Sequence, residues 1–196
     1  MSDTREYIID KAVSLFLTNS YEAVSISDIS NAIGFTKGAL YHHFKNKEEL
    51  FKAVVDKCFV VQEIGFDVET GTLLEFTEAC LNHAKQTLET IFSYTEGCEI
   101  INYMSLIADS FRHYPGFADQ KIKFVIDETN KIKQIITRSI ERGEIRSDID
   151  TSLIAQSYFS NMLGMATPII QNQSIEQVIT NLKGQLDQMY LLLKKV

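Results

Sequence analysis

Residues 25–44 read SISDISNAIGFTKGALYHHF, and their order holds two helix starts, one helix stop and a cationic surface. Ser25 stands three residues before Asp28, the spacing of a capping box in which the hydroxyl takes an orphan amide and the carboxylate reaches back. The helix this opens is two turns long, with Ile29, Ala32 and Ile33 inward. Gly34 is placed to stop it, because glycine enters the left-handed region without penalty. Thr36 caps the next short helix, 37–44, in which Leu40 and Phe44 lie four apart on one face. Two short helices joined by a glycine turn of three or four residues are what a helix-turn-helix requires.

The flanks supply a small bundle around this core. Ile8, Ile9, Ala12, Val13, Phe16 and Leu17 form a helical stripe that Asn19-Ser20 ends. Asn46 opens a fourth helix carrying Leu50, Phe51, Val54 and Val55. Gly65 and Gly71-Thr72 then interrupt the pattern, so two domains are expected, 1–57 and 58–196. Longer helices follow. One covers 73–92. A second, 98–112, is apolar in its middle (Ile100, Ile101, Tyr103, Met104, Leu106, Ile107), which predicts burial all round. After Tyr114-Pro115-Gly116 a long helix runs to Arg142, with Ile122, Val125, Ile126, Thr129, Ile132, Ile136 and Ile140 spaced three and four apart and Gly143 closing it. Asp150 caps a helix through Met165, and a last one spans 174–195. With only two prolines and nine glycines, the expected fold is all-α, about nine helices in total.

Composition fits one globular chain: 196 residues, 45% hydrophobic. The start MSDTREYIID is polar and no window is long and apolar enough for a membrane span, so a cytoplasmic protein without a membrane partner is expected. Cys58, Cys80 and Cys98 are an odd number at unhelpful spacings and read as reduced thiols, small buried hydrophobes in the main. Net charge is −7, which at first argues against nucleic acid. The charge is uneven, however. Residues 29–47 hold no acid at all, yet carry Lys37, Lys45, Lys47, His42 and His43. That window is a local electrostatic footprint on an acidic chain.

Residues 5–52, and within them SISDIS…IGFTKGALYHHFKNKEEL in register, resemble the DNA-binding domain of the TetR family of bacterial transcriptional regulators. One departure is Ser20-Tyr21, where a glycine commonly precedes the aromatic residue. The resemblance implies a homodimeric DNA-binding regulator, a repressor released from a palindromic operator by a small-molecule effector. The alternatives are an activator or effector-independent regulator of the same fold, or a helical protein-binding adaptor. On the short helix, Lys37 and His42 are expected to read bases. Gly38 allows close approach and Ala39 meets a thymine methyl. Ser25, Ser27, Thr36, Tyr41, His43 and Lys47 are expected at phosphates.

The resemblance extends to the body in helix count and acidity alone. It implies a dimer formed by the last two helices, with Leu153, Ser157, Asn161, Gly164, Val178, Leu182, Leu186 and Met189 at the seam; the bland alternative is an intramolecular core. It also implies an effector pocket among Phe92, Tyr103, Met104, Phe111, Tyr158, Met162 and Met165, although a Met/aromatic stripe is more often core. No catalytic residue, metal or cofactor is expected. HExxH, GxSxG, GxGxxG and the P-loop are all missing from the sequence. Adjacent His42 and His43 diverge by about 100° on a helix, which is poor metal geometry.

Overall fold

The computed structural model describes residues 2–59, 66–94, 96, 100–163 and 174–195. Among them nine helices carry the fold: α1 (Ser2–Thr18), α2 (Ile26–Ile33), α3 (Lys37–His43), α4 (Lys47–Cys58), α5 (Leu73–Phe92), α6 (Ile100–His113), α7 (Phe117–Glu141), α8 (Thr151–Leu163) and α9 (Ile175–Leu193). The all-α expectation holds. The described residues form no strand beyond one antiparallel bridge between Ile145 and Lys194, and none of their helices is long and apolar enough to cross a membrane. The chain packs as two compact units, Met1–Gln62 with Thr90–Ala118, and Glu63–Glu89 with Asp119–Val196.

In the first unit, the α1 stripe read from the sequence is buried throughout, no member more than 3% exposed. It meets Ile29, Ile33, Leu40, Phe44, Leu50, Phe51, Val54 and Val55. Burying such side chains is the main favourable term holding short helices that would not persist alone. Gly34 adopts φ 72°, and the next residue, Phe35, donates its N–H to Ser30 O at 3.1 Å, a closure that satisfies the last carbonyls of α2. One detail of α2 differs from the reading: Ser30 is buried and Ala32 exposed, because the packed face runs through 29, 30 and 33.

The core of this unit also draws in Ile91, Leu106, Tyr114 and Phe117, and the Tyr114 hydroxyl donates to Asp56 Oδ1 at 2.8 Å. Burial of α6 all round does not hold. Leu106 is fully buried, but Ile101 is 49% exposed and Phe111 52%, since only the face bearing Leu106, Asp109 and Ser110 packs on the unit's core.

The second unit is built on Leu73, Phe76 and Cys80 of α5, Ile132, Ile135 and Ile136 of α7, Tyr158 and Phe159 of α8, and Leu186 and Leu193 of α9. Tyr158 is fully buried with its hydroxyl paired to Thr77 Oγ1, and burial pushes its phenol up to about 12. The long helix departs from its predicted stripe. Ile122 is 59% exposed, Val125 39% and Ile126 54%, while Ile135 is fully buried. Its apolar positions lie on two sides, and only the second half meets the core. Thr72 and Glu75 form a capping box at the start of α5, Glu75 Oε2 accepting from Thr72 N at 2.8 Å, legible as T-x-x-E yet unread in the sequence. Asp150 Oδ1 accepts from the amides of Ser152 and Leu153 at 2.9 and 3.0 Å, the predicted cap of α8. Cys58 and Cys80 are buried, and burial raises the Cys80 thiol to about 12, which makes it a poor nucleophile. Cys98 lies outside the described residues.

Candidate nucleic-acid interface

Ser25 and Asp28 close the predicted capping box in both directions. Ser25 Oγ accepts from Asp28 N at 3.2 Å, and Asp28 Oδ2 accepts from Ser25 N at 2.8 Å and from the Ser25 hydroxyl at 2.5 Å. The hydroxyl bond, then the backbone bond, hold the Asp28 carboxyl below its ordinary value of 3.8. A depressed folded value stabilises above the unfolded one and is lost as pH falls through the folded one. Amide protection of residues 26–29 is therefore expected to drop as pH falls below the ordinary carboxylate value of 3.8 and through the lowered value of Asp28. In Ser25→Ala it should be low at every pH; protection that stays flat in the wild type would disprove the link.

On α3, Thr36 Oγ1 accepts from Ala39 N at 3.2 Å, and Leu40 (1% exposed) and Phe44 (2%) anchor the inner side. Thr36, Lys37, Gly38, Ala39, Tyr41 and His42 are exposed; His43, Ser27 and Lys47 are half-buried. The structure thus brings the predicted base-reading residues onto one solvent-facing surface. A Cβ added at Gly38 would meet only Thr36 Oγ1, at 3.9 Å. Nothing inside the protein requires glycine there, although glycine in a helix costs about 1 kcal/mol against alanine. The rings of His42 and His43 lie 5.4 Å apart at 78°. Among the described residues no three His, Cys, Asp or Glu converge as a metal set.

Lys47, expected at a phosphate, also has partners inside the protein. Its ammonium donates to Tyr21 O at 2.9 Å and Val24 O at 3.1 Å and lies 4.0 Å from the centre of the Tyr21 ring. Two of its three donors are engaged within the protein. The same loop is held from α6. Tyr21 N donates to Asp109 Oδ2 at 2.7 Å, and His113 stacks on the Tyr21 ring at 4.2 Å. Lys47 thus ties down the loop that leads into α2 and keeps one donor for a further partner. Asp109, 7% exposed, was missed altogether, since backbone acceptors and donors leave no side-chain signature in a sequence.

The expected dimer seam is partly withdrawn. Leu186 is fully buried and Val178 is 4% exposed, so both are packed inside the protomer, as the bland reading had it. Leu153 remains 59% exposed, Ser157, Leu182 and Met189 are half-buried, and Asn161 Nδ2 contacts Met189 Sδ at 3.1 Å. Leu163, Leu191 and Leu192, outside the expected seam, are 55, 62 and 67% exposed on the same two helices. The expected effector residues divide between the two units. Phe92 and Tyr103 pack against the first core, with Met104 half-buried and Phe111 edge-on to Phe117 at 5.0 Å. Tyr158 and Met162 belong to the second core. Gly164 and Met165 lie outside the described residues.

Comparison with known proteins agrees with this geometry. Residues 8–54 match the sequence profile of the bacterial regulatory proteins of the tetR family. The Transposon Tn10 TetC protein of Escherichia coli is 30% identical over 146 residues, which span 74% of this chain and 69% of TetC. The HTH-type transcriptional regulator AcrR of Shigella flexneri is 24% identical over 213 residues, 97% of this chain and 90% of AcrR. In fold, SmeT, solved as a triclosan complex, matches with a TM-score of 0.65 at 17% identity, covering 98% of this chain and 92% of SmeT. A helix-turn-helix inside that profile, and a relative at this identity over most of both chains, place the protein in the TetR family of bacterial regulatory proteins.

Proposed function

We propose that this DNA-binding regulator is a homodimeric repressor that holds a palindromic operator and releases it when a small molecule binds. The observation that carries the reading is α3 itself: a helix anchored by Leu40 at 1% exposure, with Lys37, Gly38, Ala39, Tyr41 and His42 turned to solvent. A surface of that size fits the major groove. There Lys37 donates to guanine O6/N7, Ala39 meets a thymine methyl, and Gly38 lets the backbone approach. Tyr41, His43, Thr36 and Ser27 then fall to phosphates, which position the helix without reading sequence. The chemistry is recognition, with no catalytic step.

One short helix reads too few bases for a unique site. Two copies about 34 Å apart multiply the specificity, and the exposed leucines of α8 and α9 support a two-fold pairing there. SmeT was solved with triclosan, which supports an apolar effector for this chain also. A coupling of about 1–3 kcal/mol between effector and DNA would suffice for release.

Selection of random duplexes with the purified protein tests the reading. The expected result is a palindrome with half-sites one helical turn apart. Lys37→Ala is expected to relax preference at one position of each half-site, by about 1–3 kcal/mol. Enrichment of no sequence, with no retardation at low salt, would overturn it.

A further inference from the structure

Arg5 lies in the first turn of α1, and its guanidinium carbon sits 4.7 Å from the centre of the Phe44 ring. Phe44 closes α3, its N–H bonded to Leu40 O, and is itself only 2% exposed. Two residues along α1, the Tyr7 ring lies 6.1 Å from that of Phe35, which immediately precedes the α3 cap Thr36. The start of α1 therefore flanks α3 at both ends. That neighbourhood is not visible in the helix-turn-helix motif, which begins twenty residues later in the chain.

The cations of the first unit divide into engaged and free. Lys57 is paired with Glu6 and Asp10, Lys47 with two carbonyls, and Arg112 with Asp109. Among the side chains described, which begin at Thr4, no carboxylate lies within ion-pair distance of Arg5, Lys37 or Lys45. Arg5 differs from the two lysines in being held. A guanidinium carbon over an aromatic ring is attracted to its face and leaves N–H donors at the edge of the guanidinium. A guanidinium fork matches the two oxygens of a phosphodiester, which it can take bidentately. An exposed arginine lying over the ring that ends α3 can meet an anion beside that helix.

Resting on the reading of α3 as the DNA-facing helix, we propose that Arg5 grips a backbone phosphate at the edge of each half-site, oriented for it by stacking on Phe44. It is a DNA contact from outside the helix-turn-helix, it carries no base specificity, and the chain uses it where Lys47 is engaged elsewhere.

The test compares wild type, Arg5→Gln and Arg5→Lys on the selected palindrome and on a scrambled duplex across a salt series. Arg5→Gln is expected to weaken both duplexes alike. It should also shallow the plot of log affinity against log salt by about one for each phosphate that the protein ceases to neutralise. Arg5→Lys should restore the slope, because it restores the charge. It should recover only part of the affinity, because an ammonium neither stacks flat nor forks. Thermal unfolding should shift little in either variant, since the side chain is exposed and the ring contact is all that it loses. A wild-type slope and affinity in Arg5→Gln would overturn the proposal while leaving the role of α3 intact. So would a loss confined to the palindrome, or one accompanied by a lowered melting temperature with no change of slope. A wild-type protein that retards no duplex would overturn the reading of α3 and this proposal with it.

Discussion

Phe51→Ala is expected to lower stability by about 3–5 kcal/mol, the range for deleting a fully buried phenylalanine. Phe51 has no exposed surface. Its ring meets Phe16 edge-on at 5.0 Å and Tyr21 at 4.7 Å, so truncation removes the joint between α1, α4 and the loop before α2. Domains of this kind have only about 5–15 kcal/mol in hand. Urea unfolding followed by circular dichroism gives the loss directly, and retardation of the selected operator should vanish with it. A loss under about 1 kcal/mol would mean that α4 does not pack on α1 through this ring. Lys45→Ala, at an exposed position, should stay within about 0.5 kcal/mol of wild type and serves as the reference.

Lys47→Met separates two roles for one residue. A phosphate clamp predicts weaker DNA binding, a shallower salt slope and an unchanged urea midpoint. The structure predicts something else. Met keeps the aliphatic stem but strands Tyr21 O and Val24 O, which the ammonium reaches at 2.9 and 3.1 Å, and it removes the charge above the Tyr21 ring. Charge-assisted bonds of this sort are worth about 1.5–3 kcal/mol when buried. Lys47 is half-exposed, so a loss of about 1–2 kcal/mol is expected after solvent screening. DNA affinity should fall as well, because the loop that sets the start of α2 loses its hold. An unaltered urea midpoint would return Lys47 to the phosphate.

How legible the site was depended on how local each signal is. The Ser25–Asp28 box, the Gly34 stop and the Leu40–Phe44 anchor all act within five residues, and each was found where the sequence placed it. The α1 stripe and the Leu50–Val55 stripe succeeded for the same reason: both helices bury one full face in one core. The stripe on α7 failed over its first half, because Ile122, Val125 and Ile126 keep helical spacing while facing away from the core. Periodicity reports that a face is apolar and says nothing of what covers it. Ala32 against Ser30 is the same lesson at the scale of one turn. On α9 the expected seam residue Leu186 faces inward, while Leu191 and Leu192, outside the expected seam, are exposed.

Residue order alone determined that this chain is all helix, that a helix-turn-helix occupies 25–44, and that cationic charge gathers in an acid-free window despite the acidic net charge. Those conclusions rest on caps, turns and charges within a few residues of one another, whose energetics the rest of the chain barely alters. Tertiary structure alone decided which cations have partners inside the protein. Lys47 and Lys57 look like surface charges in the sequence and are engaged in the fold, while Arg5 looks unrelated to the motif and sits on the ring that ends it. Carbonyl oxygens, carboxylates and aromatic platforms from distant segments make that choice, because a charge takes the nearest partner in space, and chain position does not say which that is.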